Sequence, residues 1–248
     1  MAYFSGMSLS TSGARRLLLL SNSRSADGEY LAHARDAIAA HFVGIREALF
    51  VPYAGVTVTW DAYAARVADA FAPAGIGVRS IHTFADPVAA VGDADAMVIG
   101  GGNTFHLLTT MQRLGLVDSV RRRALGGMPY LGWSAGAVVA CPTLQTTNDM
   151  PIVEPASFAA LGLVDFQINA HFTDVHPPGF QGETRRERLA EFVAANPAVR
   201  VIGLPEGDWL RVAGDAVVLE GAHDALIFAS GREARSVTPG SSIAEVLG

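Results

Sequence analysis

The sequence predicts an α/β protein built on one doubly wound, mostly parallel sheet. Short apolar runs alternate with segments of helical periodicity, the pattern of βα units. Two of those runs, at Ala96–Ile99 and Pro129–Trp133, stop at glycine-rich turns that lead straight into helical text. The chain has 248 residues, half of them hydrophobic and 17% charged, which is enough to bury a full core and is read most economically as a single domain over 15–248.

The elements follow in order. Residues 1–14 read as a flexible extension, with Met7 a possible alternative start. Arg16–Ser21 is a first strand, its four leucines too short a run for the ~20 residues of a transmembrane helix. Leu31, Ala34, Ile38 and Phe42 share one face of a helix expected over Tyr30–Phe42. Ala48–Val51 is the next strand. Trp60, Tyr63, Val67 and Phe71 then repeat at helical spacing behind Thr59, a suitable N-cap. Strands are expected at Gly77–Phe84 and Ala96–Ile99, followed by one helix from Phe105 to about Leu125 and a strand at Pro129–Trp133. Beyond these come strands at Leu163–Phe172 and Val199–Leu204, and a hairpin over Trp209–Leu219 that turns at Ala213-Gly214-Asp215.

Composition narrows the partners. Eighteen basic against 24 acidic residues give a formal charge of −6, which weighs against nucleic acid or an anionic membrane. The cluster Arg121-Arg122-Arg123 is a solvated helix face. The single cysteine, Cys141, leaves no intrachain disulfide or multi-cysteine metal site and fits a reducing compartment. No secretory signal opens the chain, so the cytoplasm is the expected location.

Ligands of doubly wound sheets sit beyond the carboxyl ends of the strands. That rule selects the neighbourhoods of Gly100, Ser134, His171 and Glu206. Ser134 is the centre of G-x-S-x-G, between a strand and the small residues that follow it. A serine hydroxyl is a useful nucleophile only when a base removes its proton, and a strained strand-to-helix turn would expose it. The helix starting near Ala135 would also aim backbone N–H groups at a developing oxyanion. A tight turn packed on the sheet is the alternative.

Gly100-Gly101-Gly102-Asn103 offers a second oxyanion donor, the N–H of Gly102, or else a plain turn. Neither phosphate-loop pattern, G-x-G-x-x-G or G-x-x-x-x-G-K-[ST], can be written there. Among seven histidines, His33, His41 and His106 fall on helices and read as surface residues, while His171 ends an apolar strand and is the candidate base. A metal site from His171, Asp174 and His176 is conceivable but has no further ligand pattern behind it.

Two acids compete to orient the imidazole. Glu206 follows Pro205 at a strand end. Asp149 lies in a turn-like loop and would give the order Ser…Asp…His. Thr184 and Glu187 form a capping box that puts Arg185 at the first position of a helix, available to grip a carboxylate or simply solvated.

Taken together, these motifs resemble serine peptidase family S51, the α-aspartyl dipeptidases of the peptidase E type. The likeness runs through "LLLLSNS" (17–23), "PYAGVTVTWDAY" (52–63), "GGGNTFHLL" (100–108), "GWSAGAVVACPT" (132–143), "TTNDMPIVEP" (146–155), "INAHFT" (168–173), "GETRRER" (182–188) and "VIGLPEG" (201–207). It covers residues 16 to about 221, with the motifs in matching order. The resemblance implies a Rossmann-like fold related to class I glutamine amidotransferases, with neither metal nor cofactor. It implies hydrolysis of dipeptides bearing an N-terminal aspartate by a monomer or homodimer. By motif, Ser134 matches the nucleophile, His171 the base, and Glu206 or Asp149 the third member. Gly102 and Ala135 match the oxyanion donors, and Arg185 the residue that binds the aspartyl side chain. The longer N-terminus, "GAHDALIF" after Glu220 and a weakly matching C-terminus depart from the pattern. A cyanophycinase-like hydrolase of β-aspartyl links and a non-catalytic binder of small carboxylates are the alternatives.

Overall fold

A computed structural model describes residues 14–243. Except for Ala14, the extension expected over residues 1–14 lies outside them. The first element of the described residues is β1 (Arg16–Leu20), whose four leucines are fully buried. Successive strand residues face opposite ways, so Leu17 and Leu19 enter one core and Leu18 and Leu20 the other. There follow α1 (Arg35–His41), β2 (Glu47–Val51), α2 (Trp60–Phe71), β3 (Gly77–Ser80), α3 (Pro87–Asp93) and β4 (Met97–Ile99). The next elements are α4 (Thr104–Arg113), α5 (Leu116–Leu125), β5 (Tyr130–Trp133), α6 (Ala135–Val138), β6 (Gln167–Phe172) and α7 (Arg185–Ala195). β7 (Val201–Pro205), β8 (Trp209–Ala213), β9 (Ala216–Glu220), β10 (Ala225–Phe228) and β11 (Arg235–Val237) complete the described chain.

Among the described residues the strands form two sheets, where one was expected. The larger has the order β3-β2-β4-β5-β1-β8-β9, parallel from β3 to β1 and closed by the antiparallel β8–β9 hairpin. The smaller, β11-β10-β7-β6, carries one parallel pair, β6–β7. Apolar periodicity reports that a strand is buried, not which sheet it joins, so this division has no local signature. The loops after β2 and β4 flank the point where the parallel strand order reverses. That is where a crevice forms in such a sheet.

Several boundaries differ from the sequence reading, each for a local reason. Leu31 sits at φ 57°, so the helix expected over 30–42 begins as one 3-10 turn at Ala32–Ala34 before α1. Gly115 at φ 68° breaks the helix expected over 105–125 into α4 and α5. The strand expected over 77–84 stops at Ser80 and becomes a 3-10 turn, and residues 163–166 precede β6 rather than belonging to it. The hairpin turns at 213–216 as read. No helix of the described residues is long and apolar enough to cross a membrane.

Candidate active site

The turn after β5 is sterically specified by its glycines. Ser134 takes φ 51° and ψ −116°, a conformation that costs a non-glycine residue about 1–3 kcal/mol. A Cβ on Gly132 would come within 2.3 Å of the Gly136 carbonyl oxygen, and one on Gly136 within 2.1 Å of the Ile99 carbonyl oxygen. Both glycines are therefore fixed by backbone contact. The Ser134 N–H donates to Leu20 O at 3.0 Å, tying the turn to β1. The helix behind it, α6, is a single turn. What it presents is the N–H groups of its first residues, Ala135 and Gly136, which have no acceptor within the helix, rather than a long dipole.

The turn after β4 stands opposite. Gly102 has φ 138°, and a Cβ there would lie 2.1 Å from Ala54 O. The Gly101 carbonyl accepts from Tyr63 Oη at 2.9 Å, and Trp133 Nε1–H donates to the same phenol oxygen at 3.1 Å. Burial pushes the Tyr63 phenol above its ordinary pKa, so it stays a donor. Tyr63 and Trp133 were read from the sequence only as apolar positions. Their support of the glycine run depends on contacts across 38 and 70 positions and has no local signal.

His171 lies where β6 bulges. Asn169 pairs with Gly203 and Phe172 with Pro205, so three steps along β6 match two along β7. His171 sits inside that irregularity at φ 55°. Its Nε2 is 2.9 Å from Ser134 Oγ and its Nδ1 is 2.6 Å from Glu206 Oε1. A neutral imidazole fits both contacts when Nδ1–H donates to the carboxylate and Nε2 accepts from the serine hydroxyl. Ser134 and His171 line a cleft of about 530 Å³ with Tyr30, Arg66 and Gly102. Glu206 and His171 line an adjoining cavity of about 650 Å³ that Arg185 also reaches.

The structure does not bring Asp149 to the imidazole. Its Oδ2 accepts from Thr104 N at 2.7 Å, Thr104 Oγ1 at 2.5 Å and Thr147 Oγ1 at 3.0 Å. The carboxylate thus caps the start of α4, where an anion is favoured by the helix dipole. Arg185 is the first residue of α7 behind the capping box of Thr184 and Glu187. Its neighbours Arg186 and Arg188 pair with Asp174 and Glu183. Its own Nη1 is buried with no hydrogen-bond partner among the described residues. Desolvation, then Arg188, lower the Arg185 pKa, while Glu206 raises it.

The other histidines are engaged elsewhere. His41 and His106 are half-buried rather than surface residues, with His41 Nε2 on Tyr130 O at 3.1 Å and His106 Nδ1 on Tyr53 O at 2.6 Å. His33 is also half-buried, beside Trp209. His176 stacks on Phe180 and Asp174 pairs with Arg186, so neither joins His171 in a metal site. Among the described residues no group of three histidine, cysteine or acidic side chains is arranged to hold a metal ion.

The model of peptidase family S51 matches residues 17–219. Peptidase E of Citrobacter koseri is 49% identical over 218 residues, covering 88% of this chain and 95% of the relative. Peptidase E of Salmonella typhimurium is 47% identical over 224 residues, covering 90% and 98%. The fold is shared with the crystal structure of a peptidase from an acI-B1 Actinobacterium, at 18% identity and a TM-score of 0.69, covering 94% of this chain and 97% of that one.

Proposed function

The chain belongs to peptidase family S51, and from that premise we propose a serine-type dipeptidase that removes an N-terminal aspartate from Asp-X dipeptides. The observation that carries the reading is the hydrogen-bonded chain Ser134 Oγ, His171, Glu206 at 2.9 and 2.6 Å. In the proposed reaction His171 Nε2 takes the Ser134 proton as Oγ attacks the carbonyl carbon of the aspartyl residue. Glu206 holds the imidazole in the tautomer whose Nε2 is free and stabilises the imidazolium that forms. The N–H groups of Gly102 and Ala135 receive the oxyanion. His171 then gives its proton to the departing amine, and water, deprotonated by the same nitrogen, releases aspartate from the acyl-enzyme.

Selectivity for aspartate rests on Arg185. A half-buried guanidinium whose Nη1 has no hydrogen-bond partner among the described residues, beside two paired arginines, suits a ligand carboxylate, which it can grip bidentately. A small peptide substrate, a monomeric or dimeric assembly and a cytoplasmic setting belong to the same proposal. Turnover of Asp-Leu, Ala-Leu and β-Asp-Arg by the parent protein, Ser134→Ala and Arg185→Met tests it. The reading expects Asp-Leu alone to be cleaved, a loss of about 10⁴-fold or more in kcat for Ser134→Ala, and a kcat/KM lower by about 10²-fold for Arg185→Met. Preference for β-Asp-Arg would indicate the β-aspartyl hydrolase instead. Full activity of Ser134→Ala would remove the mechanism.

A further inference from the structure

The end of β1 contacts Ser134, His171 and the residues that flank Glu206. Leu20 O accepts the Ser134 N–H. Ser21 Oγ accepts the His171 N–H at 2.8 Å and donates to Leu204 O at 2.8 Å. Asn22 Oδ1 accepts the N–H of Gly207, the residue after Glu206, at 2.8 Å, while its Nδ2 donates to Arg24 O at 2.6 Å. The Ser21 N–H in turn donates to Asp208 O at 3.0 Å. Three consecutive residues thus hold three strand ends.

That arrangement answers a geometric need. Ser134 stands on the seven-stranded sheet, whereas His171 and Glu206 stand on the four-stranded one, so the 2.9 Å contact spans two sheets. The bulge in β6 also carries the His171 N–H out of the β6–β7 register, where the strand ladder offers it no fixed partner. A side-chain oxygen must supply one, because a buried N–H without an acceptor is unfavourable. Ser21 is fully buried and Asn22 is 5% exposed, although both follow a run of four leucines. Two polar residues at buried positions, with side chains bonded to β6, β7 and the turn after Glu206, are not explained by the packing of β1.

We infer that Ser21 and Asn22 are positioning residues that set the distance from His171 Nε2 to Ser134 Oγ and so control the reactivity of the serine. Neither touches the reacting atoms. Ser21 fixes the strained backbone of His171 and, through Leu204, the strand that carries Glu206. Asn22 fixes the turn that follows Glu206. The inference rests on Ser134 being the nucleophile, and it predicts a defect in reactivity per folded site rather than in folding alone. A misplacement of about 1 Å lowers such transfers by about 10²-fold.

The experiment is the second-order rate of Ser134 phosphonylation by a fluorophosphonate, followed by intact mass and located by peptide mapping. It compares the parent protein with S21A, S21T, N22A and N22D. S21A is expected to react about 10–100-fold more slowly yet reach the same final stoichiometry. Its kcat on Asp-Leu per titrated serine should fall by the same factor, with KM within about twofold. S21T, which keeps the acceptor oxygen, should lie within about threefold of the parent, whereas N22A and N22D, which both lose the amide donor to Arg24 O, should fall below it. A variant with lowered stoichiometry but an unchanged rate per labelled site would assign Ser21 a folding role only and overturn the proposal. Should S21A fail to fold, N22A decides, and a rate equal to the parent's overturns it. An unlabelled parent would remove the nucleophile and this proposal together, whereas a labelled parent with an equally reactive S21A removes this proposal alone.

Discussion

Ser134 and His171 solve the same problem in two different ways. Both are non-glycine residues at positive φ, 51° and 55°, one just after β5 and the other in the last pleat of β6. At Ser134 the strain is accommodated by removing neighbouring side chains. Gly132 and Gly136 pack backbone against backbone, and a Cβ on Gly101 would stand 2.9 Å from the Ser134 Cβ. At His171 no glycine flanks the residue within 167–173. The relief sits on the partner strand, where a Cβ on Gly203 would come within 2.7 Å of the Phe172 ring, and on β1, where Ser21 accepts the displaced N–H. One site is specified by what is absent beside it, the other by what reaches across to it.

The sharpest way to break the contrast is to add a methyl group on the serine side. Gly136→Ala forces a Cβ against the Ile99 carbonyl from inside the core, with backbone on both sides. A loss of about 3–5 kcal/mol is expected, along with phosphonate labelling of Ser134. Thermal melting should drop by about 10 °C. Gly92→Ala, in α3 with nothing within 4 Å of the new Cβ, is the control and should melt no lower than the parent.

The histidine side is tested by Glu206→Gln. The Glu206 side chain is 62% exposed, so little stability rests on it, and melting should stay within about 2 °C of the parent. Catalysis should fall by about 10²–10⁴-fold in kcat/KM on Asp-Leu, because an amide no longer stabilises the imidazolium or enforces its tautomer. A loss under tenfold would mean that Glu206 does not orient His171.

The same contrast explains how much of the molecule could be read in advance. Ser134, Gly102 and the Thr184–Glu187 capping box carry their constraint in adjacent residues, so short motifs expose them, and the structure closes the capping box through Glu187 Oε2 at 2.7 Å from Thr184 N. Most of the strands and helices were legible from periodicity, to within a few residues, but β10 and β11 were not expected. The division into two sheets was not, because β6 and β7 read like any buried strands. The helix α3 was missed because seven residues capped by Asp86 offer too few turns for a period to show. Ser21 and Asn22 quote a recognisable motif, yet their partners lie 150 and 185 residues away. Which of Glu206 and Asp149 stands beside His171 is likewise a long-range matter that no short motif carries.

The serine side should also answer to pH through His41. Burial lowers its pKa to about 4, with Arg16 adding to the effect, while its Nε2 rests on the carbonyl of Tyr130 in the strand that leads to Ser134. The folded state resists protonating this ring and the unfolded chain does not. Above pH ~6.5 both states hold it neutral and it contributes no pH dependence. As pH falls from ~6.5 towards 4 the unfolded chain gains a proton first, and about 2–3 kcal/mol of stability is lost. Denaturant unfolding measured at intervals across that window should show the slope, and His41→Gln should flatten it. An identical slope in the variant would move the effect to another group.

The smallest expected effect belongs to Asp149, and its smallness is the point. Its carboxylate sits on the first N–H of α4 and on two threonine hydroxyls, which joins the 147–150 loop to the helix that starts beyond Gly102. Asp149→Asn keeps an acceptor oxygen but loses the charge at the helix start and one strong acceptor. About 1 kcal/mol of stability is the expected cost. Because Asp149 supports the far side of the glycine run rather than the imidazole, kcat/KM on Asp-Leu should fall by less than about tenfold, without the change in pH profile that loss of an imidazole partner produces. Kinetics of Asp149→Asn and Glu206→Gln measured side by side make the test. Equal losses in the two variants would erase the distinction between a carboxylate that orients the histidine and one that braces the opposite wall of the cleft.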